Sequence, residues 1–102
     1  MDSEKFSMRL SILRSKKNIS ARDFSLRMGL NSGYINKIEN EKNYPSMQNF
    51  FYMCEILEIT PAQFFDEAIT YPLLINQILT ELKKMNEHQL TNLLNITRDI
   101  NN

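Results

Sequence analysis

The stretch SARDFSLRMGLNSGYINKIE, residues 20–39, begins with the pattern of a short helix that ends at a glycine. Ser20 is a favoured helix N-cap, and Phe24 and Met28 recur at the spacing of one buried helix face. Gly29 suits the residue after a helix, because the left-handed conformation needed there costs glycine no steric strain. The first half of the stretch therefore predicts a helix of about eight residues followed by a sharp turn.

The second half of the stretch predicts another helix, over residues 32–39, for which Asn31 is a suitable N-cap. Ile35 and Ile38 are three residues apart and share its inner face, so its outer face is polar. Ser25 is expected on the inner face of the preceding helix, where two closely packed helices need a small side chain. Such a pair forms a helix-turn-helix, in which the second helix enters the major groove of DNA.

Apolar residues at helical spacing continue on both sides of this stretch, and no long alternating pattern predicts a strand. The first helix is expected to start at Ser3 as N-cap and to end near Lys17. Ser46 is expected to cap a fourth helix and Thr60 a fifth. The basic residues of the first helix, Arg9 included, are expected outside its buried stripe. The predicted core comprises Phe6, Leu10, Ile12, Leu13, Phe24, Met28, Ile35, Ile38, Met47, Phe50, Met53, Cys54, Leu57, Ile59, Phe64 and Phe65.

A boundary is predicted near Thr70-Tyr71-Pro72, which divides the chain into residues 1–70 and 71–102. The second part reads as a helical hairpin whose two helices each carry an apolar stripe. Two helices alone cannot bury both stripes, so the hairpin packs either on the preceding domain or on the same hairpin of a second copy. For the second alternative, a homodimer, the expected interface is Leu74, Ile78, Leu82, Leu90, Leu93 and Leu94.

Charge is divided unevenly along the chain although its formal net charge is zero. Residues 1–45 carry +4 and residues 46–102 carry −4, which favours a polyanionic partner for the first part. Cys54 and His88 are the only residues of their types, so neither an internal disulfide nor a structural zinc site is expected. Cys54 is expected to fill the core.

Several function classes are not expected from this composition. No apolar run approaches the roughly 18–20 residues of a membrane span, and no charged-then-apolar leader opens the chain, so a cytoplasmic protein without a membrane partner is predicted. No paired carboxylates, no nucleophile near a histidine and no glycine-rich phosphate loop point to catalysis. We therefore expect no enzyme, no cofactor and no metal.

A family resemblance extends from Phe6 to Phe65. The residues that carry it are Leu10, Leu13-Arg14, Ile19-Ser20, Phe24-Ser25, Met28-Gly29-Leu30, Tyr34-Ile35-Asn36-Lys37-Ile38-Glu39, Pro45-Ser46, Leu57, Ile59 and Phe64. Together they resemble the lambda-repressor/Cro-like helix-turn-helix family, also called the XRE family. The resemblance implies an all-α fold, with a five-helix DNA-binding domain followed here by the helical hairpin. It also implies an ion pair between Arg14 and Glu39.

A transcriptional regulator of this type binds an operator in double-stranded DNA, and we expect a dimeric repressor that reads a palindrome through the helix at 32–39. The expected base contacts are Ser32, Gly33, Tyr34, Asn36 and Lys37. The expected phosphate contacts are Ser20, Arg22, Asn31, Lys42, Asn43 and Tyr44.

The chain departs from the family pattern at three positions. Ala21 replaces a common Gln, Glu41 replaces a common Gly, and Gly33 weakens the second helix by up to about 1 kcal/mol relative to Ala. An alternative function remains open, in which the chain is a protein-interaction module such as an antitoxin or an anti-repressor partner. The hairpin discriminates the two, because a second protein partner requires apolar surface that self-pairing leaves uncovered.

Overall fold

Seven helices and no strand make up the part of the chain that the computed structural model describes, residues 1–41 and 43–102. This confirms the all-α fold class. The helices are α1 (Ser3–Lys16), α2 (Ala21–Arg27), α3 (Tyr34–Glu41), α4 (Met47–Leu57), α5 (Pro61–Phe65), α6 (Pro72–Leu82) and α7 (Glu87–Asn101).

Side-chain caps fix where most of these helices begin. Ser46 accepts a hydrogen bond from the backbone N–H of Asn49, as predicted, and Thr60 and Asn86 each form a complete capping box. The prediction of Ser3 as the first N-cap was wrong by one residue. Asp2 is the cap, because its carboxylate accepts the N–H of Lys5 at 2.8 Å and an anion is favoured at a helix N-terminus.

The core lies among α1 to α5 and is centred on aromatic rings. The ring of Phe64 lies 4.9 Å from that of Phe6 and 5.1 Å from that of Phe50, measured between centroids. Around these rings pack aliphatic side chains from α1, α3 and α4 and from the connecting segments, together with the ring of Phe24 from α2. The buried apolar residues are Phe6, Leu10, Leu13, Ile19, Phe24, Ile35, Ile38, Phe50, Met53, Cys54, Leu57, Ile59 and Phe64.

Three residues predicted for the core are exposed. Ile12 lies two residues after the buried Leu10, which turns it about 200° away on a helix. Met47 is the first residue of α4 and precedes the part of that helix that packs on the core. Phe65 ends α5 and covers the aromatic cluster from outside, so half of its surface remains in contact with solvent.

Arg9, predicted to lie outside the buried stripe of α1, is buried. Its Nε donates to the carbonyl of Phe64 at 2.7 Å, and its Nη2 donates to the carbonyls of Gln63 and Asp66 at 2.9 and 3.0 Å. The helix α5 is only five residues long, and its last carbonyls lack partners within the helix. Burial lowers the pKa of Arg9, while the nearby carboxylates of Glu67 and Asp66 raise it.

Cys54 lies in the core, where 3% of its surface is exposed. Burial raises the pKa of its thiol to about 11, so the thiol stays protonated at neutral pH. Since the thiolate is the reactive form of cysteine, this residue acts as a small apolar side chain. The structure agrees with the expectation that Cys54 fills the core.

The last two helices form an extended tail, defined here as α6 and α7. Pro72 is buried, but most of the large apolar side chains after it remain exposed. The molecule accordingly measures 49 Å along its longest axis and 26 and 23 Å along the others. Packing of both apolar stripes back on α1–α5 is therefore not observed. Among the described residues, no helix is long and apolar enough to cross a membrane.

We predict that Arg9→Met lowers the free energy of unfolding by about 2–3 kcal/mol, because two buried carbonyls and one partly buried carbonyl lose a charged donor. Urea denaturation followed by circular dichroism measures this loss. Arg22→Met, at an exposed position of α2, is the matched control and should change stability by no more than about 0.5 kcal/mol. Equal losses in the two variants would contradict the role assigned to Arg9.

Candidate nucleic-acid interface

The turn between α2 and α3 begins at Gly29, whose φ of +74° lies in the left-handed region. The backbone N–H of Gly29 donates to the carbonyl of Leu26, and that of Leu30 donates to the carbonyl of Ser25. These bonds satisfy carbonyls at the end of α2, which otherwise have no partner within the helix. The conformation expected of Gly29 from the sequence is therefore present, and it turns the chain sharply into the next segment.

Ser25 joins α2 to the start of α3. The residue is fully buried, its hydroxyl donates to the carbonyl of Ala21 at 2.8 Å, and its Oγ accepts the backbone N–H of Ile35 at 2.9 Å. The N–H of Ile35 belongs to the first turn of α3, where no helical partner exists. Ser25 is therefore both a small side chain at a close helix approach and a cap supplied by the neighbouring helix.

The helix α3 begins at Tyr34, two residues later than predicted, and extends to Glu41, two residues further than predicted. The side-chain carbonyl of Asn31 accepts the N–H of Gly33 at 2.9 Å, which makes a turn of the residues before the helix. The first helical bond runs from the N–H of Lys37 to the carbonyl of Gly33. The length of α3 was predicted correctly and its position was displaced by this turn.

The far half of α3 is fixed to α1 by side chains. Arg14 donates from Nε and Nη2 to the two carboxylate oxygens of Glu39, at 2.9 and 3.2 Å, and from Nη1 to the carbonyl of Ile19 at 2.8 Å. The Oγ of Ser7 donates to the carbonyl of Ile38 at 2.9 Å. The ion pair implied by the family resemblance is thus present, in the two-pronged geometry that gives such pairs direction.

The exposed surface of α3 and its preceding turn is polar. Gly33, Asn36 and Lys37 are exposed, and Ser32 is partly buried. Among the described residues, no carboxylate forms an ion pair with Lys37. Asn40, which the sequence reading missed, is also exposed and donates from its amide to the side-chain oxygen of Asn36. Asn40 lies four residues after Asn36 and shares its helix face, so a predicted helix that extended past residue 39 would have included it.

Two tyrosines of the predicted interface are held by bonds within the protein. The hydroxyl of Tyr34 accepts the amide of Asn49 at 3.0 Å and so ties α3 to α4. The hydroxyl of Tyr44 donates to the carbonyl of Met1 at 3.0 Å, and its ring lies 5.6 Å from that of Phe6. Each tyrosine therefore has a structural role of its own, whether or not DNA is present.

The predicted phosphate contacts lie at exposed positions wherever the structure describes them. Ser20 caps α2, Asn31 caps the turn before α3, and Arg22 has no ion-pair partner among residues 1–41 and 43–102. Asn43 donates from its amide to Glu41 at 3.3 Å. Lys42, also predicted to contact phosphate, lies outside the described residues.

The predicted dimer residues lie along both helices of the tail. Four of them are exposed and the other two are partly buried. The exposed members are Leu74, Ile78, Leu90 and Leu94, and the partly buried members are Leu82 and Leu93.

Residues 10–64, just over half of the chain, match the sequence model of the family described as helix-turn-helix. The chain belongs to this family, in its lambda-repressor-like or XRE form, and it is a DNA-binding helix-turn-helix regulator. Comparisons with curated proteins and with solved structures returned no match. The matched residues include α2, the turn and α3, so the family assignment falls on the segment described above.

We predict that Glu39→Gln lowers the free energy of unfolding by about 1–2 kcal/mol, because the partly buried guanidinium of Arg14 loses its charged partner. Amide hydrogen exchange should rise most in α3, whose far half this pair holds. Glu55→Gln, at an exposed position of α4, is the control. Unchanged protection of α3 in the Glu39 variant would show that the ion pair does not position the helix.

Proposed function

We propose that the protein is a dimeric repressor that reads a palindromic operator through α3. The observation that carries the proposal is the polar, exposed face of a short helix that is fixed at both ends to the fold. A base-reading helix needs both properties, because side chains that enter a groove must project from a rigid support.

Asn36 and Lys37 are the central base contacts in this proposal. An amide can pair with adenine through a donor and an acceptor, and an ammonium can donate to O6 or N7 of guanine. Both side chains project from the first turn and a half of α3, the part of such a helix that contacts base edges. Ser32 and Tyr34 lie beside them and complete the proposed set together with Gly33.

Gly33 supports a close approach of backbone and duplex. Its φ is not in the left-handed region, so the turn itself does not require glycine. A Cβ at this position would meet only the side-chain oxygen of Asn31 at 3.4 Å, which is an ordinary contact. Since neither conformation nor packing within the chain explains the missing side chain, contact with DNA is the explanation that we favour.

The proposed phosphate contacts lie on both sides of α3 in the sequence. Ser20, Arg22 and Asn31 lie before α3, and Asn43, Tyr44 and Lys42 follow it. Such contacts position the protein on the duplex and make its affinity depend on salt, without selecting a sequence. Glu41 at the end of α3 adds a negative charge beside them, which opposes phosphate binding. Affinity for the DNA backbone therefore depends more strongly on the remaining basic side chains.

The homodimer is proposed to form through the tail, with residues 1–70 binding DNA and residues 71–102 pairing with a second copy. The exposed leucine and isoleucine side chains of α6 and α7 support it, because such a surface is costly in water. Pairing would place two copies of α3 on one side of the duplex. Half-sites about 34 Å apart, one turn of B-DNA, would then match the twofold symmetry of the protein.

A second candidate, a protein-interaction module, is favoured by apolar surface outside the proposed interface. Ile96 and Ile100 on α7 are 56% and 76% exposed and do not belong to the predicted dimer residues. In an antitoxin or anti-repressor partner, these side chains would contact a different protein. A dimer that leaves both residues in solvent would favour this candidate alongside DNA binding.

We predict that Asn36→Ala combined with Lys37→Ala removes sequence preference and leaves the fold intact. Both residues are exposed, so their loss changes contacts with DNA and not the core. Selection of bound sequences from a random duplex pool measures the preference, and circular dichroism checks the fold. The matched control replaces Asn95 and Lys83, two exposed residues of the tail, by alanine. Retained selectivity in the α3 variant would refute the proposed reading helix.

We predict that Ile78→Glu combined with Leu94→Glu converts a dimer into a monomer of 12.1 kDa, because burying two carboxylates in an apolar interface is strongly unfavourable. Light scattering coupled to gel filtration measures the mass. Thr80→Glu with Asn92→Glu is the control, since each lies two residues away and about 200° around its helix. Removal of residues 72–102 should likewise give a monomer, and a persistent dimer would place the interface elsewhere.

A further inference from the structure

A cavity of about 180 Å³ lies where the tail joins the helical unit α1–α5. Its walls come from the last turn of α1, from the end of α4 with the following Ile59, and from the start of α6. Leu13, Leu57 and Ile59, which are core residues, line one side. The lining from the tail includes Pro72 and Leu74, so the cavity contacts both parts of the molecule.

Two lysine side chains line this mostly apolar cavity, and they differ in their partners. Lys17 is paired with Glu58 at 2.7 Å, and the hydrogen bond from Lys17 holds the pKa of Glu58 below its ordinary value. Lys16 donates to the carbonyl of Thr70 and lies 5.3 Å from the centre of the Tyr71 ring. Within the described part of the chain, no carboxylate forms an ion pair with Lys16.

We propose that this cavity binds a small aromatic carboxylate and that the bound ligand controls operator binding. A cavity of about 150 Å³ lined by leucine, isoleucine and phenylalanine holds benzene, so a single ring matches the available volume. An aromatic ring would replace water against Leu13, Leu57 and Ile59. The carboxylate would supply the anion that Lys16 lacks, at an exposed edge where both charges remain partly hydrated.

The position of the cavity explains how a ligand acts on DNA binding. The start of α6 is joined to α1–α5 by the bond of Lys16 to Thr70 and by the amide of Asn76, which donates to the carbonyl of Glu58 at 3.1 Å. A ligand that touches α1, α4 and α6 together favours one orientation of the tail. In a dimer formed through the tail, that orientation sets the spacing of the two α3 helices, and the coupling is reciprocal. This regulatory step rests on the proposed function, whereas ligand binding does not.

The test is a titration of the full chain with benzoate, followed by the methyl resonances of Leu13, Leu57 and Ile59. We expect saturable shifts centred on these methyl groups. Lys16→Gln should weaken benzoate roughly three- to fivefold, the size of one exposed ion pair, and should leave neutral benzyl alcohol unchanged. Lys83→Gln, at an exposed lysine elsewhere in the tail, is the control and should change neither ligand.

A second variant tests occupancy of the cavity. Gln77 is exposed and lines the cavity from α6, so Gln77→Trp is expected to fill it without disturbing the core and to abolish benzoate binding. Unperturbed benzoate binding in this variant would overturn the proposed location. So would shifts spread evenly over the exposed leucines of the tail, or the absence of saturable shifts.

Protein concentration and DNA separate the remaining outcomes. Loss of benzoate binding as protein concentration rises would show that a second copy fills the cavity, which overturns the ligand site. Benzoate binding that leaves operator affinity unchanged would overturn the regulatory step. Because the benzoate titration uses no DNA, its result stands apart from any failure of the protein to bind an operator.

Discussion

A helix of eight residues is too short to be stable alone, and this constraint governs how α3 is held. Only Ile35 and Ile38 of α3 are buried, so its contribution to the core is small. The fold compensates at both ends. Ser25 accepts a backbone N–H of the first turn, and Arg14 binds Glu39 in the second half of the helix. The exposed face of α3 is therefore not needed to hold the helix in place. A surface that contacts another molecule requires this.

Much of this arrangement was predictable from residue type and spacing. The caps at Ser20, Ser46 and Thr60, the turn at Gly29 and the apolar stripes follow from local rules. The errors arose where a partner distant in sequence decides the outcome. Arg9 is buried because carbonyls about 55 residues later need a donor, and no periodicity within α1 carries that information. The displaced start of α3 had a local cause, since the turn made by Asn31 competes with the helix for the same backbone groups.

The candidate interface likewise has features that the local sequence predicts and features that depend on partners distant in sequence. The polar face of α3 was predicted from the sequence, because apolar residues that recur every three to four positions are a local signal of an amphipathic helix. The bonds that engage the hydroxyls of Tyr34 and Tyr44 were not found, since their partners belong to other elements. The charge asymmetry has a counterpart in the fold: the basic residues lie mostly in α1 to α3, whereas the acidic excess comes from residues 46–70, which include α4 and α5, and the tail has no net charge.

The burial of Cys54 gives the protein a practical property. Because its only thiol is enclosed and protonated, a thiol introduced on the surface would be the single site open to alkylating reagents in the native state. In the dimer proposed above, a spin label attached to a cysteine introduced at Thr80 would report one distance, between equivalent positions of the two copies. Pulsed electron-spin resonance can therefore be applied to this chain without first replacing its native cysteine.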